Sequence, residues 1–247
     1  MNTKGFALLE VTLFLAISGA LGLIAFLGLG PRLRNVRFTQ SVRFVENTVN
    51  SQFKASTSGQ NMRPADFVCK TTGLAGALQI TTLSGGGPAG SSESCVVNGK
   101  MVFFEADKMT FYSIVSRRTG TVASCSIVDT LVELQTCFKP QLAGLSAGQP
   151  PLPEIVTYNS GVTAQFPAAP NTSYRGYGYI QSPNGVRQYP FFFLSNSVNS
   201  ATAQLSSAST TASGSLQMCL DLSNRRAQLT VAENTVNPVI SLKGCTI

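Results

Sequence analysis

One carboxylate, Glu10, stands inside an otherwise apolar stretch that runs from Phe6 to Leu29, and from Val11 to Leu29 there is no charge at all. A carboxylate placed in lipid is costly and is kept where a partner neutralises it. Its own helix offers none. The chemistry it suggests is charge pairing with an amine, presented by another copy of this segment or by its own α-amino group after cleavage. A second set of reactive side chains is the six cysteines at positions 69, 95, 125, 137, 219 and 245, all beyond the apolar stretch. An even number confined to that side is the pattern of an oxidising compartment. Sequence alone does not choose among their pairings. Nearest-neighbour pairing (Cys69 with Cys95, Cys125 with Cys137, Cys219 with Cys245) closes the shortest loops. Free structural thiols are the alternative. A metal site is a poor reading, because there is no C-x-x-C and no histidine.

The missing histidine also removes the commonest general base. There is no phosphate-binding glycine loop, no nucleophile with a visible base and no pair of acids in a shared context. Ser92-Glu93 and Asp107-Lys108 sit in expected loops and read as solvated side chains. The chain is therefore not expected to be an enzyme, and no cofactor is expected.

The element that must position Glu10 is a helix. At 1.5 Å per residue, Val11 to Leu29 spans roughly 28 Å, about one hydrocarbon core. A cleaved secretory signal fits badly. The leader has one basic residue, Lys4, the apolar run is too long, and it continues through Pro31 into helix-like sequence. Beyond it, Phe38, Val42, Val45, Val49 and Phe53 recur at helical spacing, with Arg37, Ser41, Asn47, Asn50 and Lys54 off that stripe. A single helix from about Phe6 to Ala55 is predicted, ended by Ser56-Thr57-Ser58-Gly59. Its stripe packs on the protein's own sheet, with a filament-core contact as the other reading.

The leader carries a resemblance. Lys4-Gly5-Phe6-Ala7-Leu8-Leu9-Glu10 resembles the class III signal of type IV pilins and of the pseudopilins of type II secretion and competence systems. The resemblance implies cleavage by a prepilin peptidase between Gly5 and Phe6, and N-methylation of Phe6. It makes Glu10 the fifth mature residue, paired with the N-terminal amine of a neighbouring subunit. It is sharp over about residues 4 to 30 and weak elsewhere. Two features depart from it. Arg32, Arg34, Arg37 and Arg43 follow the apolar run, so charge bias alone would put that side in the cytoplasm, whereas the resemblance exports it. Many members carry a proline inside the apolar helix where this chain has Leu27, and here the proline comes later, at Pro31. Gly19, Gly22, Gly28 and Gly30 could loosen the helix instead.

On this reading residues 1–5 are a prepilin leader and 6–30 a transmembrane and assembly helix. Residues 31–55 continue it as an amphipathic helix, and 56–247 form a β-rich exported globular domain. With 247 residues, one membrane helix and one globular domain is the natural count. The net charge is +7, yet charged residues make up only 12% of the chain, a sparsely charged surface common among exported proteins. The expected fold class is α+β, a long N-terminal helix, membrane-spanning in its first half, packed on an antiparallel β-sheet domain.

Along that domain, Ala77 to Thr82 is a short strand candidate, and Lys100 to Glu105 with Met109 to Arg117 makes a plausible hairpin around Ala106-Asp107-Lys108. Ser124 to Glu133 also reads as a strand. Lys139 to Pro153 is a Gly/Pro-rich connector. Glu154 to Phe166 and Tyr174 to Gln181 look like strands, and the turn Ser182-Pro183-Asn184-Gly185 precedes Val186 to Leu194. Ser195 to Ser215 is a polar tract, expected to stay unburied as a surface loop. Leu216 to Asp221 and Arg226 to Ala232 form a closing hairpin around Ser223-Asn224.

That hairpin looks like the closing hairpin of minor pilins and pseudopilins of the H/T kind, with Asn224 in place of the usual glycine and adjacent arginines. A late disulfide is frequent in the family, which singles out Cys219 with Cys245. The function implied is a structural subunit, a minor pilin or pseudopilin of a type IV pilus-like filament. Its partners are prepilin peptidase, other pilin subunits through the N-terminal helix, and membrane lipid before assembly. The location implied is a single pass through the cytoplasmic (inner) membrane, then the filament or cell surface. The alternative is DNA capture during uptake, with Arg225 and Arg226, helped by Arg175 and Arg187, on the phosphates. A solvated arginine pair is the plainer reading of the same residues. A third option is a filament-tip adhesin using the Ser/Thr tract.

Overall fold

The computed structural model describes residues 4–57, 67–72, 77–82, 95–117, 130–142, 153–166, 175–182, 188–193, 205, 215–222, 224–232, 235, 237–242 and 245. A single helix, α1 (Lys4–Thr57, 54 residues), opens the chain and is about 80 Å long. Its two halves differ. Leu8, Leu9, Val11, Leu13, Phe14, Leu15, Ile17, Leu21, Leu23 and Ile24 are all exposed. Phe38, Val42, Val45, Val49 and Phe53, the expected stripe, are all buried in the protein's own core. Among the described residues no helix is long and apolar enough to cross a membrane. The side chains of Ala25 to Gly28, which continue the apolar sequence, lie outside the description.

Twelve strands are described. β1 (Phe67–Thr72) and β2 (Ala77–Thr82) make an antiparallel pair. The larger sheet holds β3 (Cys95–Phe104), β4 (Lys108–Arg117), β5 (Gln141–Leu142), β6 (Pro153–Thr157), β8 (Gly176–Gln181) and β9 (Gln188–Phe193). Its order is β5-β4-β3-β8-β9, with β6 also on the edge of β4. A second sheet runs β12-β11-β10-β7, from β7 (Thr163–Gln165), β10 (Leu216–Leu222), β11 (Arg225–Val231) and β12 (Val239–Ser241). Every described pairing is antiparallel. The class is α+β, as expected.

Alternation along the strands of the larger sheet divides two cores, because successive side chains leave opposite faces. Val102, Phe104, Phe111, Tyr177, Tyr179 and Phe192 join the stripe of α1 in one core, which the second sheet completes with residues such as Met218, Leu220 and Leu229. Met101, Phe103, Ile114, Ile180, Phe191 and Phe193 face the other way, onto helix α2 (Leu131–Phe138). The run Phe191-Phe192-Phe193 thus feeds both cores. The second half of α1 is also held by polar contacts. The buried Lys100 donates through Nζ to Gln52 Oε1 and to Glu154 Oε2 at 3.1 Å, while Gln52 Nε2 donates to Glu154 Oε1 at 2.5 Å. Tyr179 Oη donates to the Phe53 carbonyl at 2.6 Å. Burial pushes the Tyr179 phenol up to about 12, partly offset by the nearby Ser56 side chain.

Three expectations are corrected. Leu131 to Glu133, expected as the end of a strand, are the first turn of α2; Ser124 to Asp129 lie outside the described residues. Thr130 caps that helix, accepting from the Glu133 amide at 3.2 Å, while Glu133 Oε2 accepts from the Thr130 amide at 3.0 Å. This capping box outweighs local strand preference. The segment Glu154 to Phe166 is not one strand. β6 belongs to the larger sheet and β7 to the second, and the 3₁₀ turn Asn159–Gly161 separates them. Ser160 and Gly161 have φ of 60 and 75, the left-handed region in which an extended strand cannot continue. Within the polar tract, most of which lies outside the described residues, Leu205 is buried in the second core. The hairpin turn at Ser182 to Gly185 falls outside the described residues beyond Ser182, though β8 and β9 pair as a hairpin would.

Candidate functional site

Phe38 is where the exposed part of α1 gives way to the buried part. Residues four apart on a helix share a face. Arg34 therefore sits above Phe38, and Arg37 above the buried Ser41. The face that packs on the sheets thus continues toward the N-terminus as two guanidinium groups. They do not point away from the domain. With Ser160, Leu222 and Arg225 they line a cavity of about 360 Å³.

The partner surfaces come from the two loops already described. The left-handed turn at Ser160 and Gly161 brings the β6–β7 crossover against α1. The closing hairpin pairs Leu222 with Arg225, and Asn224, at φ 69, takes the positive φ that a two-residue turn demands. Arg225 Nη1 donates to Asn35 Oδ1 on α1 at 2.5 Å, which ties the hairpin tip to the helix. Three arginines therefore line one cavity, and none of the described residues lining it is a carboxylate. Such a cavity is electropositive and offers several N–H donors to an anion.

The hairpin is anchored in the middle of its first strand. Cys219 on β10 is bonded to Cys245, with Cα atoms 5.8 Å apart and a sequence separation of 26. Closing a loop of that length stabilises the fold by roughly 3 to 4 kcal/mol on the chain-entropy account. Cys137 is also disulfide-bonded. The side chains of Cys69 and Cys95, and the whole of Cys125, lie outside the described residues.

The four arginines singled out in the sequence do not share one surface environment. Arg225 enters the cavity. Arg226, its neighbour on β11, points elsewhere and is paired with Asp221, Nε to Oδ2 at 3.0 Å. The Arg175 guanidinium lies 4.1 Å over the ring of Phe166. Arg187 lies outside the described residues. Arg34 and Arg37 enter the sequence reading only as a charge bias beyond the apolar run. The signal that finds them is their offset of four from Phe38 and Ser41. At the other end of α1, Glu10 is exposed on the apolar half of the helix; Gly5 and Phe6 lie in its first turn, and the Phe6 side chain is outside the described residues.

Comparison with protein-family models, with curated proteins and with solved structures finds no match to this chain.

Proposed function

We propose that the chain is a minor pilin or pseudopilin, a structural subunit of a type IV pilus-like filament, released by prepilin peptidase between Gly5 and Phe6. The observation that carries the reading is the division of α1. One continuous helix exposes its large apolar side chains from Leu8 to Ile24 and buries a stripe from Phe38 to Phe53 in its own domain. A helix apolar on every side has no soluble partner within the chain, so it belongs in lipid or among copies of itself. Once cleavage removes Lys4 with the leader, Glu10 is the one charged side chain in that half. Paired with the N-terminal amine of an adjacent subunit, it would set the axial step between copies. The disulfide-bonded domain beyond it suits an exported location.

DNA capture is the weaker reading, because Arg226 is already paired and Arg175 is stacked on Phe166. N-terminal and intact mass spectrometry, without reduction, on sheared filaments and on membranes tests the proposal. A chain beginning at Phe6, one methyl heavier and present in the filament fraction, is the expected result. A chain beginning at Met1 and confined to membranes sinks it.

A further inference from the structure

The arginine-lined cavity lies at a defined height on the helix. Arg34 follows Leu29, the last large apolar residue before the first charge at Arg32, by five positions, or about 7 Å along the axis. The polar headgroup layer on each side of a bilayer is of similar thickness, roughly 5 to 7 Å. With the first half of α1 in lipid, the cavity opens at the level of the lipid phosphates. It is enclosed on the far side by Ser160, Leu222 and the Asn35-tethered Arg225. From these observations we propose that the cavity binds the phosphodiester headgroup of an anionic phospholipid in the leaflet from which the domain emerges.

The chemistry fits one headgroup better than a polymer. Arg34, Arg37 and Arg225 supply guanidinium donors to the phosphate oxygens, Ser160 adds a hydroxyl, and Leu222 gives an apolar wall to the glycerol end. A nucleic acid strand needs an open basic track, with bases stacked on aromatic rings. Here the cations line a pocket of about 360 Å³ in which the other described lining residues are only a serine and a leucine. Bound lipid would hold helix, crossover turn and closing hairpin together while the subunit waits in the membrane, and would fix the depth at which the domain rides. The placement at headgroup height rests on the membrane-inserted reading given above. The cavity itself does not.

The test uses the full chain purified in a non-ionic detergent, with short-chain (dihexanoyl) phosphatidylglycerol titrated in and complexes counted by native mass spectrometry. One phosphatidylglycerol per chain is expected, with dihexanoyl phosphatidylcholine bound far more weakly, since its choline offsets the phosphate charge. Arg37→Gln should weaken binding roughly tenfold, and the triple variant Arg34→Gln/Arg37→Gln/Arg225→Gln by a hundredfold or more, on the order expected for lost charge-assisted hydrogen bonds. Arg226→Gln should leave it unchanged. Because the triple variant also breaks the Arg225 to Asn35 contact, Arg34→Gln alone, on an exposed turn, provides the variant whose fold is not in question. Equal binding of both lipids, or wild-type affinity in Arg34→Gln and Arg37→Gln, overturns the proposal. So does displacement by equimolar inorganic phosphate or by a short DNA strand, which would make the ligand a free anion or a nucleic acid. Alkaline carbonate extraction of cell membranes separates the two readings. A chain that carbonate releases defeats the membrane placement even where the lipid titration succeeds. A chain that resists carbonate but ignores phosphatidylglycerol defeats the cavity assignment alone.

Discussion

The two halves of α1 obey the same backbone rules and reach opposite ends. From Leu8 to Ile24 the helix is apolar on every side, and its large side chains stay exposed, Leu8 and Phe14 at 71%. From Phe38 to Phe53 only one stripe is apolar, and that stripe is buried at 4% exposure or less. The difference lies in what a globular domain can cover. A sheet reaches one face of a helix, so a one-sided stripe can be satisfied within the chain. A single sheet cannot cover a helix that is apolar all round. The comparison teaches that the same 54-residue element is a core element at one end and is left uncovered by its own domain at the other, with the arginine cavity at the join.

The most severe way to break this comparison is a charge in each half. Val45→Asp places a carboxylate at a site with 0% exposure and should cost about 4 kcal/mol or more, leaving little folded domain. Leu15→Asp should leave the domain's unfolding midpoint within about 0.5 kcal/mol of wild type in detergent while abolishing membrane retention. If thermal or denaturant unfolding shows both variants equally destabilised, the halves are not independent and the division fails.

A finer test concerns the polar clamp on Gln52. The Lys100 side chain is only 4% exposed and that of Glu154 is 40% exposed. Removing the outer partner takes the counter-charge from the buried cation and leaves it the Gln52 amide oxygen, whereas removing the inner one lets the carboxylate turn to water. Glu154→Ala should therefore cost about 3 kcal/mol, and Lys100→Met about 1 kcal/mol or less. Chemical denaturation of the two variants side by side gives the answer, and the reverse order would show that the pair is not anchored as its exposures imply.

The smallest effect is a pH dependence at the far end of the buried half. The Tyr179 phenol, hydrogen-bonded to Phe53, titrates near 12 in the folded chain against 10 in an exposed tyrosine. Folding thus favours the neutral phenol. Its contribution is complete below pH 10 and is lost as pH rises from about 10 through about 12, an effect of roughly 2 to 3 kcal/mol. Tyr179→Phe should flatten that part of the stability curve. An unchanged slope in the variant would assign it to other groups, such as Tyr158, whose phenol burial and the nearby Asp107 and Glu105 also raise.

Much of this was legible in the linear chain. The stripe Phe38, Val42, Val45, Val49 and Phe53 is a periodicity, and each member is buried. The β3–β4 and β10–β11 hairpins are short-range patterns closed by local turns, and they fold as read. Where the reading failed, a non-local or competing signal won. The Thr130–Glu133 capping box turned an expected strand into helix α2. The left-handed pair Ser160–Gly161 split one apparent strand between two sheets. Leu205 found a place in a core that its polar neighbours do not advertise.

The sequence by itself determined the long apolar helix with its single Glu10, the amphipathic continuation, and an even set of cysteines beyond them. Those properties live in composition and periodicity, which act between near neighbours. Only the tertiary structure decided that Cys219 bonds Cys245, and that one phenylalanine run serves two cores. It alone decided that Arg225 meets Arg34 and Arg37, leaving Arg226 to Asp221. The two sides of that meeting are about 190 positions apart in the chain. No local pattern encodes such a distance. It follows from the register of the hairpin on α1 and from the crossover turn that closes the cavity between them.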